Sequence, residues 1–138
     1  MSTVKVDTIS EYTSATGVTI DGVLCKDSAV TALKTITVIP GDGTISVAPG
    51  VIVLTKGSAA AIVLPAPTAA QAGTLITITN GSAFAHVITG TDLIHDGVTG
   101  GAKDKITLGA YIGASATLLA YNELWHVISL QVAPVTAN

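Results

Sequence analysis

Short runs of branched apolar residues alternate with turn-forming clusters along the chain from residue 35 to residue 131. The runs fall at 36–39, 44–47, 51–55, 60–64, 74–79, 85–89, 93–95, 105–108, 116–121 and 124–131. The first of them are separated by Pro40-Gly41-Asp42-Gly43, Pro49-Gly50, Lys56-Gly57-Ser58 and Pro65-Ala66-Pro67. This pattern predicts many short strands joined by turns, because Pro presets φ, Gly permits positive φ, and neither suits the interior of a ladder. Residues 74–79 make the clearest strand, with Ile76 and Ile78 on one face and Leu75, Thr77 and Thr79 on the other. Asn80-Gly81 is the strongest short hairpin signal, so 85–89 is expected to return beside 74–79. Asn122-Glu123 predicts a second tight hairpin, between 116–121 and 124–131. Residues 68–72 suit one helical turn, 96–104 a glycine-rich loop and 132–138 a frayed tail. The expected fold is all-β: a compact antiparallel β-sandwich or barrel at 35–138, preceded by an extended N-terminal arm at 1–34.

The arm reads differently from the rest. Its alternating stretches, such as VKVD at 4–7 and VTID at 18–21, are strand-like but short. An isolated two-stranded unit is marginal in water, so the arm is expected to gain structure by lying on a partner. The hexapeptides VKVDTI at 4–9 and VTIDGV at 18–23 match at an offset of 14 residues. They are either a two-unit repeat or a coincidence in a chain rich in Val, Ile, Thr and Asp.

Composition reinforces the β assignment and narrows the partners. Thr, Val and Ile number 20, 15 and 14, and their stiff χ1 favours a pleated surface. Charged residues make up 11% of the chain, with six lysines, no arginine and a net charge of −3. Phosphate recognition relies on clustered Lys and Arg, so nucleic acid is an unexpected partner. Mean hydropathy is +0.65, yet no apolar run approaches the roughly 20 residues of a membrane helix, and no membrane partner is expected. The apolar excess is therefore expected between subunits, where an obligate interface resembles a core cut in half. The start, MSTVKVDTISEY, has no basic segment followed by an apolar one, which argues against a secretory signal. Cys25 is the single cysteine and excludes an intrachain disulfide.

Candidate chemistry is sparse. His86, His95 and His126, with Asp92 and Asp96, have none of the short fixed spacings that announce a metal site. No Gly-x-Ser-x-Gly elbow, phosphate loop or carboxylate pair stands out, so neither an enzyme nor a bound cofactor is expected. Trp125 is expected to anchor the core or a subunit interface, since large aromatics dominate the energetics of both.

The segment VKVDTISEYTSATGVTIDGVLCKD at 4–27 resembles an N-terminal motif of tailed-bacteriophage structural proteins, with the pattern DTI-E-T-GVTIDGV-LKD. ITITNGSAFAHVITG at 76–90, DGVTGGAKDKITL at 96–108 and ATLLAYNELWHVIS at 116–129 are similar to a compact β domain of phage virion proteins. Cys25 stands where the motif usually has leucine, and the family brings no catalytic residues to transfer. The resemblance implies a non-enzymatic virion protein, foremost a trimeric capsid decoration (cement) protein or head fibre that binds and stabilises the major capsid protein shell. Such a protein would assemble in the host cytoplasm and reside on the capsid surface. Val4, Val6, Ile9, Tyr12, Val18, Ile20, Val23 and Leu24 would then make the capsid contacts of the arm. Two alternatives remain: a tail-fibre or baseplate adaptor, and a virion-displayed carbohydrate-binding module in which Trp125, Tyr121 or Tyr111 stacks on sugar rings.

Overall fold

Nine strands carry the alternating pattern in the computed structural model, which describes residues 35–98 and 100–131. They are β1 (Thr35–Ile39), β2 (Gly43–Thr44), β3 (Gly50–Leu54), β4 (Ala61–Val63), β5 (Leu75–Asn80), β6 (Val87–His95), β7 (Lys103–Thr107), β8 (Ser115–Tyr121) and β9 (Leu124–Gln131). The helical turn expected at 68–72 is a single 3-10 turn at Ala69–Gln71, where the Gln71 side chain accepts the Thr68 N–H. No α-helix occurs among the described residues, and no helix there is long and apolar enough to cross a membrane. The capsid-contact candidates Val4, Val6, Ile9, Tyr12, Val18, Ile20, Val23 and Leu24 lie outside the described residues.

The fold is all-β, but the antiparallel arrangement expected from the turn signals holds for only part of it. From β1 to β6 the chain winds. Odd strands stack as β1-β3-β5 and even strands as β2-β4-β6, all in parallel. Each step along the chain therefore crosses from one stack to the other, as parallel neighbours require a crossover rather than a hairpin. Thr35 pairs with Gly50 and Gly50 with Ile76, so successive turns of the winding take 15 and 26 residues. The longer turn contains Pro65, Pro67 and the 3-10 segment. The last strands are antiparallel: β7 on β6, β8 on β5, and β9 on β8. Because β9 also meets β6 at Ile94 and His95, the β8–β9 hairpin bridges the two stacks into one nearly closed, barrel-like sheet. Its two ends are β1 and β2.

The two hairpin expectations part ways for a physical reason. Asn122 and Glu123 both have positive φ, 51° and 61°, and Tyr121 pairs with Leu124. That is the backbone of a type I′ turn, whose twist suits the flanking strands. Asn80-Gly81 makes no hairpin, since β5 and β6 belong to different stacks. Gly81 instead donates its N–H to Leu54 O, and a Cβ there would sit 2.8 Å from Val53 Cγ1 and 3.2 Å from Leu54 O. The glycine is needed for close backbone approach, not for a turn.

Inside the sheet, apolar residues stack on ladder neighbours: Ile52 beside Ile78, Ile78 beside Ala116, Ile62 beside Ile88, and Ile88 beside Ile106. Trp125 is completely buried, flanked by Ile94 on β6 and the small Ala120 on β8. Its indole Nε1 donates to Pro65 O at 2.8 Å, so the ring's one polar atom is satisfied. At the surface, Asp42 ties the first turn of the winding to the second. Its carboxylate accepts the Lys56 ammonium and the Ala61 N–H, both at 2.8 Å. The Lys56 hydrogen bond chiefly, and then the Ala61 N–H, hold this carboxyl below the ordinary aspartate range.

Gly50 gives a direct test of the parallel pairing. A Cβ on Gly50 would lie 2.6 Å from Thr35 O, a backbone atom that cannot swing away. Gly50→Ala is expected to force β1 off β3 and to lower unfolding stability by about 1–3 kcal/mol, the usual range for overpacking. Urea unfolding followed by circular dichroism measures this, and an unchanged midpoint would contradict the β1–β3 register.

Candidate functional site

The three histidines and the neighbouring aspartates separate into unrelated settings. His86 is fully buried. Its Nδ1 accepts the Ala60 N–H at 3.0 Å, and its Nε2 lies 2.9 Å from Ser82 Oγ. A Ser–His contact of this length invites comparison with a nucleophile and its base. The Ala60 bond decides otherwise: Nδ1 must be the unprotonated nitrogen, so Nε2 carries the proton and donates it to Ser82. In that tautomer no free lone pair faces the serine hydroxyl. Burial chiefly, and then the Lys56 charge, push the His86 pKa below its ordinary value and keep the ring neutral.

The hydrogen-bond chain continues from there. Ser82 Oγ and N–H both approach Asn80 Oδ1, at 3.3 and 2.9 Å, and Asn80 Nδ2 donates to Phe84 O and Gly109 O at 2.7 and 2.9 Å. Gly113 N–H returns to Asn80 O, and Leu108 N–H to His86 O. This network clamps the 81–86 and 108–114 loops side by side, and Asn80 is as buried as the core around it. The four-residue spacing of Ser82 and His86 is visible in the sequence; their contact with Ala60 is not. Phe84, Tyr111 and Ile112 stand exposed on the clamped loops.

His95 and His126 face each other across β6 and β9 in register. Their rings stack with centroids 5.4 Å apart and planes at 16°, and Tyr121 meets His126 edge-on at 5.8 Å. His126 Nε2 is buried and has no hydrogen-bond partner among the described residues. Asp92 sits in the bulge of β6 with φ of 54°, and its N–H donates to Asp104 Oδ1. Asp96 Oδ1 accepts the Val98 N–H. Among the described residues, no three His, Cys, Asp or Glu side chains converge as metal ligands.

Among the described residues, Trp125, Tyr111 and Tyr121 do not form one platform. Trp125 lies in the core with no exposed ring face, which removes it from the sugar-stacking set. Tyr111 precedes β8 and Tyr121 ends it, so the whole length of that strand separates the two exposed phenols.

What the surface does offer is unpartnered strand edge and apolar side chain. β1 pairs only with β3 among the described residues, and Ile36 and Val38 on it are 67% and 56% exposed. A groove of about 530 Å³ lies between β7 and β9, lined by Lys103, Lys105, Ile106, Ile128 and Leu130 with Ile94 among them. A monomer rarely carries several such features, and exposed apolar patches of this kind mark interaction sites. No protein-family model matches the chain, and a search of curated proteins found no match to it.

Proposed function

We propose that the chain is a non-enzymatic structural subunit of a tailed-phage particle, a trimeric capsid decoration protein or head fibre that binds the major capsid protein. The observation that carries this reading is the open end of the sheet. β1 follows directly after residues 1–34 and presents an edge without a ladder partner among the described residues, with Ile36 and Val38 exposed. Backbone N–H and C=O groups at such an edge bind an added strand, and exposed valine and isoleucine favour burial against a second surface. The motif at 4–27 supplies the phage context, and residues 1–34 act as the attaching arm. Repeated weak contacts on a lattice raise avidity without any single strong one.

Light scattering of the full chain is expected to give a mass of about 41 kDa, three times the 13.7 kDa chain. In co-sedimentation with undecorated capsids, the full chain is expected to pellet and a variant lacking residues 2–27 to stay in the supernatant with its β-rich circular dichroism intact. Full capsid binding by the truncated variant would sink the arm assignment. Binding to tails instead of capsids would move the protein to a tail-fibre or baseplate adaptor.

A further inference from the structure

The barrel-like sheet closes at a short seam. β9 meets β6 at two residue pairs, Ile94 with Trp125 and His95 with His126, and the first pair is buried in the core. Successive side chains of a strand point to opposite faces, so His95 and His126 stand together on the outer face of the seam. The row continues to Leu119 on β8, the ladder partner of His126, while Tyr121 meets the His126 ring edge-on. Among these neighbours His126 Nε2 is buried and finds no hydrogen-bond partner among the described residues. Buried polar atoms are nearly always satisfied, so an imidazole nitrogen left bare beside an open cavity is a candidate for a ligand. The cavity is there: about 410 Å³ of space borders both rings and is lined also by Gly97, Gly100 and Gly101. A Cβ added at any of these three glycines would meet nothing within 4 Å, so that side stays open.

We infer that His95 and His126 form a two-histidine site for a divalent transition-metal ion of the zinc class, with water in the remaining coordination positions. The ring geometry suits a shared ion. Two imidazoles bound to one ion at a metal–nitrogen distance of about 2.0–2.1 Å have centroids roughly 5 Å apart at a tetrahedral angle, and here the centroids are 5.4 Å apart. The planes lie at 16° to one another, and the broad χ2 well of histidine lets both rings turn toward a common point. Imidazole suits zinc, copper and nickel, whereas magnesium and calcium prefer oxygen ligands. No third His, Cys, Asp or Glu joins the pair among the described residues, and Asp96 accepts the Val98 N–H. His86 stands outside the site, with its ring nitrogens engaged by the Ala60 N–H and Ser82 Oγ. One ligand comes from each strand of the seam, so the ion clips β9, and through β8 the β1-β3-β5 stack, to β6.

The test uses the full chain with Cys25→Ser, which removes the one thiol that would compete for the metal. Titration calorimetry with Zn²⁺ is expected to show binding, and Mg²⁺ to show none. His95→Ala and His126→Ala are each expected to weaken Zn²⁺ binding by about tenfold or more, since a ligand is lost and not merely its supporting partner. In ¹⁵N-correlated imidazole spectra of the chain with all three histidines, Zn²⁺ is expected to shift the His95 and His126 signals and to leave His86 in place. That readout does not depend on how the variants fold. Saturating Zn²⁺ is expected to raise the melting temperature by about 5 °C through binding to the native state, and the rise to vanish in both alanine variants. An absence of Zn²⁺ binding, or binding that leaves the two ring signals unmoved, overturns the site. Loss of affinity in one alanine variant but not the other shows a lone imidazole and overturns the shared site, and an unchanged melting temperature at saturation overturns the clip.

Discussion

Trp125→Ala is expected to be the most damaging single substitution in the described residues, lowering unfolding stability by about 3–5 kcal/mol. Among the described residues the ring is the one large aromatic that is fully buried, and it fills the space between β6, β8 and β9 where the hairpin bridges the two parallel stacks. Its neighbours cannot collapse into the void, because Ala120 is already small and Ile94 is held in the ladder. Pro65 O would also lose its donor, and an unpaired buried acceptor adds to the cost. Whole-domain stabilities are about 5–15 kcal/mol, so the change takes away a large share. Since Trp125 is the only tryptophan, unfolding in urea must be followed by circular dichroism. Trp125→Phe, which keeps a ring but loses the hydrogen bond, is expected to cost about 1–2 kcal/mol. Equal losses in the two variants would mean that packing is not what Trp125 contributes.

His86→Ala is expected to cost about 2–4 kcal/mol, through the vacated ring volume and the orphaned Ala60 N–H. The sharper signature is its pH dependence. Burial lowers the His86 pKa below 6.5, the ordinary value that the unfolded chain retains. Between the folded value and 6.5 the unfolded state therefore binds more protons than the native state. The contribution of His86 is complete above about pH 6.5 and is lost as pH falls through the folded pKa. Protonation at Nδ1 would also abolish the bond from Ala60. His86→Asn presents an acceptor near the position of Nδ1 and does not titrate, so its stability is expected to fall less steeply than wild type from pH 6.5 to 5. Parallel pH curves for the two proteins would contradict the neutral-imidazole clamp.

The hairpin at Asn122-Glu123 and the alternation of Ile76 and Ile78 were legible because both depend on near neighbours along the chain. A type I′ turn needs two residues that tolerate positive φ, and a half-buried strand needs apolar residues two apart. Asn80-Gly81 carries an equally strong local signal, yet its conformation is set at a distance, by Leu54 O, Gly109 O and the Gly113 N–H. The direction of the β1–β6 ladders was hidden for a related reason. Parallel and antiparallel strands show the same alternation of side chains, so Val51 and Ile52 read alike in either arrangement.

The candidate site divides along the same line. Trp125 was recognisable as an anchor from its size and isolation, but its place in the core, and not on a free surface, follows from Ala120, Ile94 and Pro65 closing around it. The Ser82–His86 contact lies within four residues, while the tautomer that disarms it is imposed by Ala60, twenty-six residues away. By itself the sequence determined strand content, the type I′ turn at Asn122-Glu123 and the apolar excess, since composition and nearest-neighbour sterics act locally. Only the tertiary structure decided the parallel winding, the β1 edge that has no ladder partner among the described residues and the groove between β7 and β9, because strand pairing joins residues whose contacts no local pattern encodes.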